Sequence, residues 1–378
     1  MQKQRILIVI TKGDIGGAQV SVFNLAKQFK KNGHDVTVGF GQGDFLKNKL
    51  KEANIPHVNF RNLVRSHNPV KNLLLIFEIK KYLDSHPANI VHFNSSNALL
   101  GAIGAKMSKC KPKTVFTFRG LSVIDPHYAK NSVLRGFYTL CFRLILAFVD
   151  MPVFVSQENY DYCRDIGLAR GGVIIYNGLA AEDQNFLSKE EAKKTLSAKL
   201  SKDFSNKFLI GSVGRLAYQK NYEFLIKNAV EIQKSRPSSA IIIIGYGPEK
   251  EKYQKMIEEN KLRDFVILAG DIPDAYRYMK AFDLFILPSR YEGLPITLIE
   301  TLFAGIPTLA TDVGGNKEVL GDAGLLYRLD DNQKFHESLS EIMSNEQMRN
   351  ELSQKATARA TIFSIEQTAN KYAAIYGL

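Results

Sequence analysis

Short apolar runs rich in Val and Ile alternate along the chain with longer stretches in which apolar residues recur every three to four positions. The short runs predict strands at 5–10, 35–39, 90–93, 114–118, 151–155 and 173–176. The longer stretches predict helices at 18–32, 71–84, 97–108 and 132–147, and Val20, Phe23, Leu25, Ala26 and Phe29 mark one face of the first. Continuous apolar strands separated by helices mean a parallel sheet covered on both faces.

The pattern then restarts. Strands are expected at 207–213, 240–244, 266–269, 284–287 and 308–310, with helices at 222–235 and 249–260. Between the two series, 178–206 is polar and rich in Lys, Glu and Ser, and reads as a linker with a short helix. The fold class is therefore α/β, with two Rossmann-like domains, 1–177 and 178–361, facing across a cleft. A C-terminal helix over 362–378 is expected to pack back on the first domain. Open parallel sheets bind ligands at the carboxyl ends of their strands, so that edge of each sheet is where chemistry is sought.

Composition adds exclusions. The 378 residues are 45% hydrophobic and 23% charged, which rules out disorder and allows a full core in each of two domains. Three cysteines, Cys110, Cys141 and Cys163, match no zinc or redox spacing and read as buried thiols in a reducing compartment. Only residues 6–10 are apolar after the basic N-terminus, too few for a signal-peptide core, so a cytoplasmic location is expected. The run 137–155, FYTLCFRLILAFVDMPVFV, approaches the length of a bilayer crossing. Arg143 and Asp150 inside it, and Pro152 near its end, favour a buried helix ending near Asp150 and then a strand.

The segment 288–315, PSRYEGLPITLIETLFAGIPTLATDVGG, carries the most chemistry. Pro295 suits the first position of a short helix at 296–304, stopped by Gly305 and Pro307. Ile299, Leu302 and Phe303 fall on its apolar face and Thr297, Glu300 and Thr301 on the other, while Glu292 lies in the loop ahead. Amides at a helix start attract phosphate, and carboxylates accept hydrogen bonds from hydroxyls. A nucleotide sugar, with an anionic middle and hydroxyls on both sides, has the matching shape. In 211–221, GSVGRLAYQKN, Arg215 and Lys220 follow a strand and supply cations for a diphosphate.

These residues resemble a known family. Arg215 with Lys220, then Gly245-Tyr246-Gly247-Pro248, then Glu292 through Glu300 to Gly314-Gly315 look like the donor-binding half of the retaining glycosyltransferases of family 4, which have the GT-B fold. The likeness extends through Gly16-Gly17-Ala18-Gln19, Ile90-Val91-His92 and Tyr176-Asn177-Gly178, and so covers nearly the whole chain. It implies that Glu292 contacts donor sugar hydroxyls, that Glu300 binds the ribose, and that Arg215 and Lys220 stabilise the leaving phosphates. It further implies that Gly293, Leu294, Ile296 and Thr297 hold sugar and diphosphate, that Gly16 and Gly17 approach the donor, and that Asp271 and Ile272 lie near the base. His92 takes the position near the reacting carbon, and Asn94 and Arg119 stand where many relatives carry histidines. Asn94 and Arg119, or Asp125, are then candidates for the acceptor side.

No Asp-x-Asp motif and no ligand cluster announces a metal, so fixed cations and amides are expected to stabilise the departing diphosphate without metal or cofactor. The resemblance implies same-face displacement, with the departing phosphate helping to deprotonate the acceptor. The expected partners are a nucleotide sugar, with UDP as the base-bearing group, and a saccharide or lipid-linked acceptor for cell-surface polysaccharide or glycolipid. The net charge of +12 fits an anionic membrane surface, with 61–65 and 135–143 as contact segments, and no nucleic-acid signature is present. Three other readings compete with this one: a UDP-N-acetylglucosamine epimerase, a nicotinamide oxidoreductase and a non-catalytic scaffold. They lack, respectively, identifiable carboxylates in the first domain, a Gly-x-Gly-x-x-Gly after any strand, and a reason for four charged residues in one pattern.

Overall fold

The computed structural model describes residues 3–65, 68–125, 131–169 and 171–378, so Met1 and Gln2 of the basic N-terminal segment lie outside the described residues. The chain divides into two compact units, Met1–Ala180 with Phe363–Leu378, and Ala181–Ile362. The first holds strands β1 (Arg5–Ile10), β2 (Asp35–Phe40), β3 (His57–Asn59), β4 (Ile90–Asn94), β5 (Lys113–Phe118), β6 (Met151–Phe154) and β7 (Val173–Ile174). They form one parallel sheet in the order β3-β2-β1-β4-β5-β6-β7. The second holds β8 (Phe208–Val213), β9 (Ser239–Ile244), β10 (Val266–Gly270), β11 (Leu284–Leu287), β12 (Thr308–Thr311) and β13 (Leu325–Tyr327), all parallel, in the order β10-β9-β8-β11-β12-β13. Both units thus have a Rossmann-like sheet whose strand order reverses once, beside its first strand.

Sequence explains the layers. Every residue of β9, SAIIII, is buried, because helices cover both faces, and its one polar side chain, Ser239, donates its hydroxyl to the Arg236 carbonyl. Helix Gly17–Lys31 buries Val22, Leu25, Ala26 and Phe29 at helical spacing. Helix Tyr222–Ser235 does the same in the second unit with Leu225, Ile226, Ala229 and Ile232.

Several elements depart from expectation. The short helix expected in 178–206 is present as Lys189–Leu200, but it does more than link: it opens with a capping box between Ser188 and Glu191 and buries Ala192 and Leu196 in the second unit. Helix Ile296–Ala304 has no polar outer face. Thr301 is fully buried, and its hydroxyl is satisfied by the Leu298 carbonyl of its own helix, whereas Phe303 is only half-buried. Pro295 caps that helix rather than opening it, its carbonyl receiving the Leu298 and Ile299 amides. The apolar run at 137–155 folds as helix Ser132–Leu146 followed by β6, and among the described residues no helix is long and apolar enough to cross a membrane. That helix is not buried either, since only Phe142 is fully enclosed. Of the free thiols, Cys163 is buried, and Cys110 and Cys141 are half-buried.

The last helix, Ile365–Tyr376, closes the first unit. Leu179 and Ser364 form an isolated parallel bridge that returns the chain, and Ala369, Tyr372 and Tyr376 then enter the core that contains Phe29. His92, on β4, is fully buried beneath this helix. Its Nδ1 meets the Tyr376 hydroxyl at 2.7 Å and its Nε2 the Thr117 hydroxyl at 2.7 Å, and Thr117 in turn meets the Tyr372 hydroxyl at 2.9 Å. Burial and the nearby Arg119 charge hold the imidazole pKa well below its ordinary value of 6.5.

The folded state therefore resists protonating His92 while the unfolded chain accepts a proton near pH 6.5. The stability tied to neutral His92 is present above pH 6.5 and lost as pH falls below it, at on the order of 1.4 kcal/mol per pH unit. Thermal melts from pH 7 to pH 5 should show this loss in the wild type and a shallower slope in His92→Gln. Equal slopes would contradict the account.

Candidate functional site

In the second unit the strand order reverses between β8 and β11, and the loops leaving those two strands are stitched together. The Arg290 amide donates to the Gln219 carbonyl at 2.8 Å, and Gln219 Nε2 donates to the Tyr291 carbonyl at 3.0 Å. At the centre lies Glu292, 9% exposed. Its Oε1 receives Lys220 Nζ at 2.7 Å and Ser289 Oγ at 2.7 Å, and its Oε2 receives Gln219 Nε2 at 3.3 Å. The two side chains of the ion pair are 13% and 6% exposed, so it has little solvent screening.

Two glycines allow the loops to close this tightly. Gly245, after β9, has φ +149°, and a Cβ there would lie 2.0 Å from the Gly214 carbonyl oxygen. Gly314, after β12, has φ +55°, and a Cβ would lie 2.2 Å from the Glu292 carbonyl oxygen. Neither backbone tolerates a side chain. The Gly315 amide also donates to the Gly293 carbonyl at 2.9 Å, so four strand ends contribute to one platform.

The other expected residues of this half lie on the loop after β8, at the start and middle of helix Ile296–Ala304 and directly after β10. Arg215 is exposed and makes no hydrogen bond or ion pair among the described residues. Gly293, Leu294 and Ile296 are buried, and helix Ile296–Ala304 starts without a side-chain cap, so its first amides are not used by a capping oxygen. Thr297 Oγ1, in that first turn, is buried with no hydrogen-bond partner, an unusual cost unless a ligand supplies one. Glu300 is half-buried on the same helix and near Tyr276, and burial pushes its carboxyl up to about 8. Asp271 is exposed and Ile272 buried, directly after β10.

Sequence reasoning did not single out Gln219, Ser289 or Arg290. The first two hold Glu292, while the Arg290 guanidinium lies 4.5 Å from the Tyr218 ring centroid. Spacing gave no sign of them, because the contacts join loops about seventy residues apart in the chain. Gln219 does lie beside Lys220, and Ser289 two places before Tyr291, so adjacency to the chosen residues was the available signal.

In the first unit, polar contacts bring together two of the expected residues, Asn94 and Arg119. Thr11 and Ser95 join the ends of β1 and β4, the amide at 3.0 Å and the hydroxyls at 2.6 Å. Arg119 Nε donates to Asn94 Oδ1 at 2.9 Å, and Nη1 donates to Ser21 Oγ at 2.5 Å and to Asn177 Oδ1. Asn94 is fully buried, Asp125 is nearly so, and Arg119 Nη2 is buried without a partner. Gly16 precedes the helix Gly17–Lys31 without a side-chain cap, with Gly17 exposed. His92 is not at a surface: both ring nitrogens are taken up by core hydroxyls.

The raised Glu300 pKa has a sign that can be tested. Its folded form keeps a proton to about pH 8, whereas the unfolded carboxyl ionises near 4.5, so this contribution is full below 4.5 and is lost as pH rises to 8. Glu300→Gln should therefore melt higher than the wild type at pH 8 and converge with it at pH 4.5, as followed by circular dichroism. A difference independent of pH would contradict the burial of this carboxyl.

Comparison with known proteins agrees with this architecture. Residues 15–183 match the family description "Glycosyltransferase Family 4" and residues 193–359 match "Glycosyl transferases group 1". The chain is 30% identical over 337 residues to the lipopolysaccharide core biosynthesis mannosyltransferase LpsB of Rhizobium meliloti strain 1021, covering 85% of each. It is 26% identical over 309 residues to an Escherichia coli UDP-Gal:alpha-D-GlcNAc-diphosphoundecaprenol alpha-1,3-galactosyltransferase, covering 78% of this chain and 76% of that one. In fold it matches Anabaena Alr3699/HepE, solved in complex with UDP and glucose, with a TM-score of 0.84, 21% identity and 99% of each chain covered. With two Rossmann-like sheets of this order and a relative 30% identical over 85% of both chains, the chain belongs to the family 4 glycosyltransferases of the GT-B fold.

Proposed function

We propose that this glycosyltransferase moves a hexosyl or N-acetylhexosaminyl group from a UDP-sugar to a saccharide or lipid-linked acceptor, with retention, in the synthesis of cell-surface polysaccharide or glycolipid. The observation that carries the reading is the Lys220–Glu292 ion pair at the switch point of the second sheet, with Arg215 on the same loop after β8. A lone anion-binding loop would not need a buried carboxylate; a ligand with both phosphates and hydroxyls would. The names of relatives support the substrate classes, since one is a UDP-galactose enzyme with a diphosphoundecaprenol acceptor and another was solved with UDP and glucose.

In this reading Arg215 and Lys220 bear on the diphosphate, together with the open amides at the start of helix Ile296–Ala304. Negative charge builds on the leaving phosphate as the glycosidic bond breaks. Amides and the Lys220 ammonium already held in place stabilise it without reorganising, which favours the transition state over the bound donor, and Arg215 adds its charge. Glu292 accepts hydrogen bonds from sugar hydroxyls, and the buried Thr297 hydroxyl gains its partner from the sugar or phosphate. Glu300 bonds the ribose, and Asp271 and Ile272 flank the base. Gly16 and Gly17 approach the donor, and Asn94 and Arg119 serve the acceptor side. His92, enclosed in the core, receives no catalytic role in this scheme. The acceptor attacks from the face the diphosphate leaves, and the departing phosphate takes its proton. The enzyme works from the cytoplasmic side, peripheral to the membrane that carries its acceptor.

Transfer and hydrolysis assays over a panel of UDP- and GDP-sugars test this. Lys220→Ala and Arg215→Ala should each lower kcat by on the order of 10²–10³, and Glu292→Ala should abolish discrimination among sugars. Chelation of divalent ions should leave turnover unchanged. Activity that survives both cation substitutions, or that collapses on chelation, would contradict the proposal.

A further inference from the structure

The second unit keeps its large apolar side chains inside almost without exception. Among its described residues only Tyr218, Tyr246 and Ile362 are exposed, and Tyr246 is the most exposed of them at 63%. Ile362 is the last residue of the unit, whereas both tyrosines stand on loops at the carboxyl edge of the sheet, after β8 and after β9. One exposed ring is ordinary on a protein surface, but two on neighbouring loops of the ligand-binding edge, in a unit that hides the rest, are not scatter. The two rings differ in what they meet. Tyr218 has a close partner, the Arg290 guanidinium at 4.5 Å from its ring centroid. Tyr246 has Lys250 Nζ at 5.7 Å, near the outer limit of a cation–π contact, and most of its side chain stays in solvent.

The main chain under that ring is clamped on both sides. The Gly245 amide donates to the Gly270 carbonyl at 2.8 Å, which ties the residue before Tyr246 to the end of β10. The Leu216 amide donates to the Tyr246 carbonyl at 3.1 Å, and the Glu249 amide to the Leu216 carbonyl at 3.0 Å, which tie the loop to the one that carries Arg215. A tyrosine has only two side-chain torsions, so a ring held out from a fixed main chain gives up little freedom when a flat ligand settles on it.

Sheet order says which part of a ligand passes this ring. The strands run β10-β9-β8-β11, with Asp271 and Ile272 after β10, Tyr246 after β9, Arg215 and Lys220 after β8, and Glu292 after β11. With the phosphates at the loop after β8 and the sugar at Glu292, the nucleoside end of the donor extends toward β9 and β10. A pyranose can also rest on an aromatic ring, but the sugar end lies on the other side of the cations. Ile272 is buried and Asp271 has no ring, so on the base side the open flat face is that of Tyr246. Every nucleobase presents a π face, and aromatic side chains hold such faces by stacking. We propose that Tyr246 is a stacking platform for the donor's nucleobase, a determinant of nucleotide affinity that takes no part in bond breaking. The inference rests on the nucleotide-sugar reading above and deepens it.

The test is calorimetric titration of the full chain with UDP, joined to the kinetics of UDP-sugar hydrolysis. Tyr246→Ala should bind UDP about tenfold or more weaker than the wild type, and Tyr246→Leu, which keeps apolar bulk without a flat face, should be weakened likewise. Tyr246→Phe keeps the ring and should stay within about twofold of the wild type. Stacking on the base is the same before and during transfer, so Tyr246→Ala should raise KM by a factor similar to the loss of affinity and leave kcat within about twofold. Inorganic pyrophosphate, which has no base, should inhibit the alanine variant as it inhibits the wild type. UDP affinity that survives Tyr246→Ala, or a leucine that serves as well as phenylalanine, would overturn the platform. So would a parallel loss of UDP and pyrophosphate affinity, the mark of a loop residue that only supports its neighbours. A wild type that binds neither UDP nor GDP would overturn the donor reading and the platform together, whereas UDP binding indifferent to Tyr246 overturns the platform alone.

Discussion

The ammonium of Lys220 lies 2.7 Å from a Glu292 carboxylate that is almost out of water, and the loops that leave β8 and β11 are joined beside that pair. A buried carboxylate is costly unless it is paired and hydrogen-bonded, and here Ser289 and Gln219 complete the set. Removing one partner from such a pair costs about 3–5 kcal/mol, whereas the pair itself adds little to stability over a well-packed apolar substitute. A constellation of this kind is better understood as a placed set of charges than as a source of stability. The glycines at 245 and 314 make the same point: each gives up side-chain packing so that two loops can meet at the Glu292 backbone and at Gly214.

The two units use the same sheet order for different ends. In the second, the carboxyl edge gathers opposite charges, a helix start without a side-chain cap and a buried hydroxyl without a partner. In the first, the equivalent edge is closed by neutral amides and hydroxyls around a single guanidinium, and the last helix seals the layer behind it through His92, Tyr372 and Tyr376. Charge divides the same way, with the positive excess confined to the unit whose helices expose apolar residues.

Much of this fold was legible because the central strands are buried on both faces and so read as unbroken apolar runs, as in SAIIII of β9. The strands missed, β3 and β13, sit at sheet edges and are three residues long, and the HVN of β3 mixes polar and apolar positions. Burial was harder to read than secondary structure. Thr301 looked like an outward residue, yet a threonine that bonds a carbonyl of its own helix can be enclosed without loss. The helix at 132–146 looked buried because it is apolar, but apolar content does not say which side of a helix the core is on. In the candidate site, Lys220 and Glu292 were recognisable as residue types in a pattern, whereas their direct pairing across 72 positions was not. Ser289 and Gln219 became visible only when the loops were in place.

The central claim is that the switch point of the second sheet is a diphosphate platform whose cations act on phosphate and whose carboxylate acts on sugar. Calorimetric titration with UDP alone, which carries the phosphates and lacks the sugar, tests it most directly. The account predicts saturable binding that Arg215→Ala weakens at least tenfold and that Glu292→Gln leaves within a few-fold of the wild type. Binding that is indifferent to Arg215, or that depends on the Glu292 carboxylate as strongly as on the cation, would contradict it.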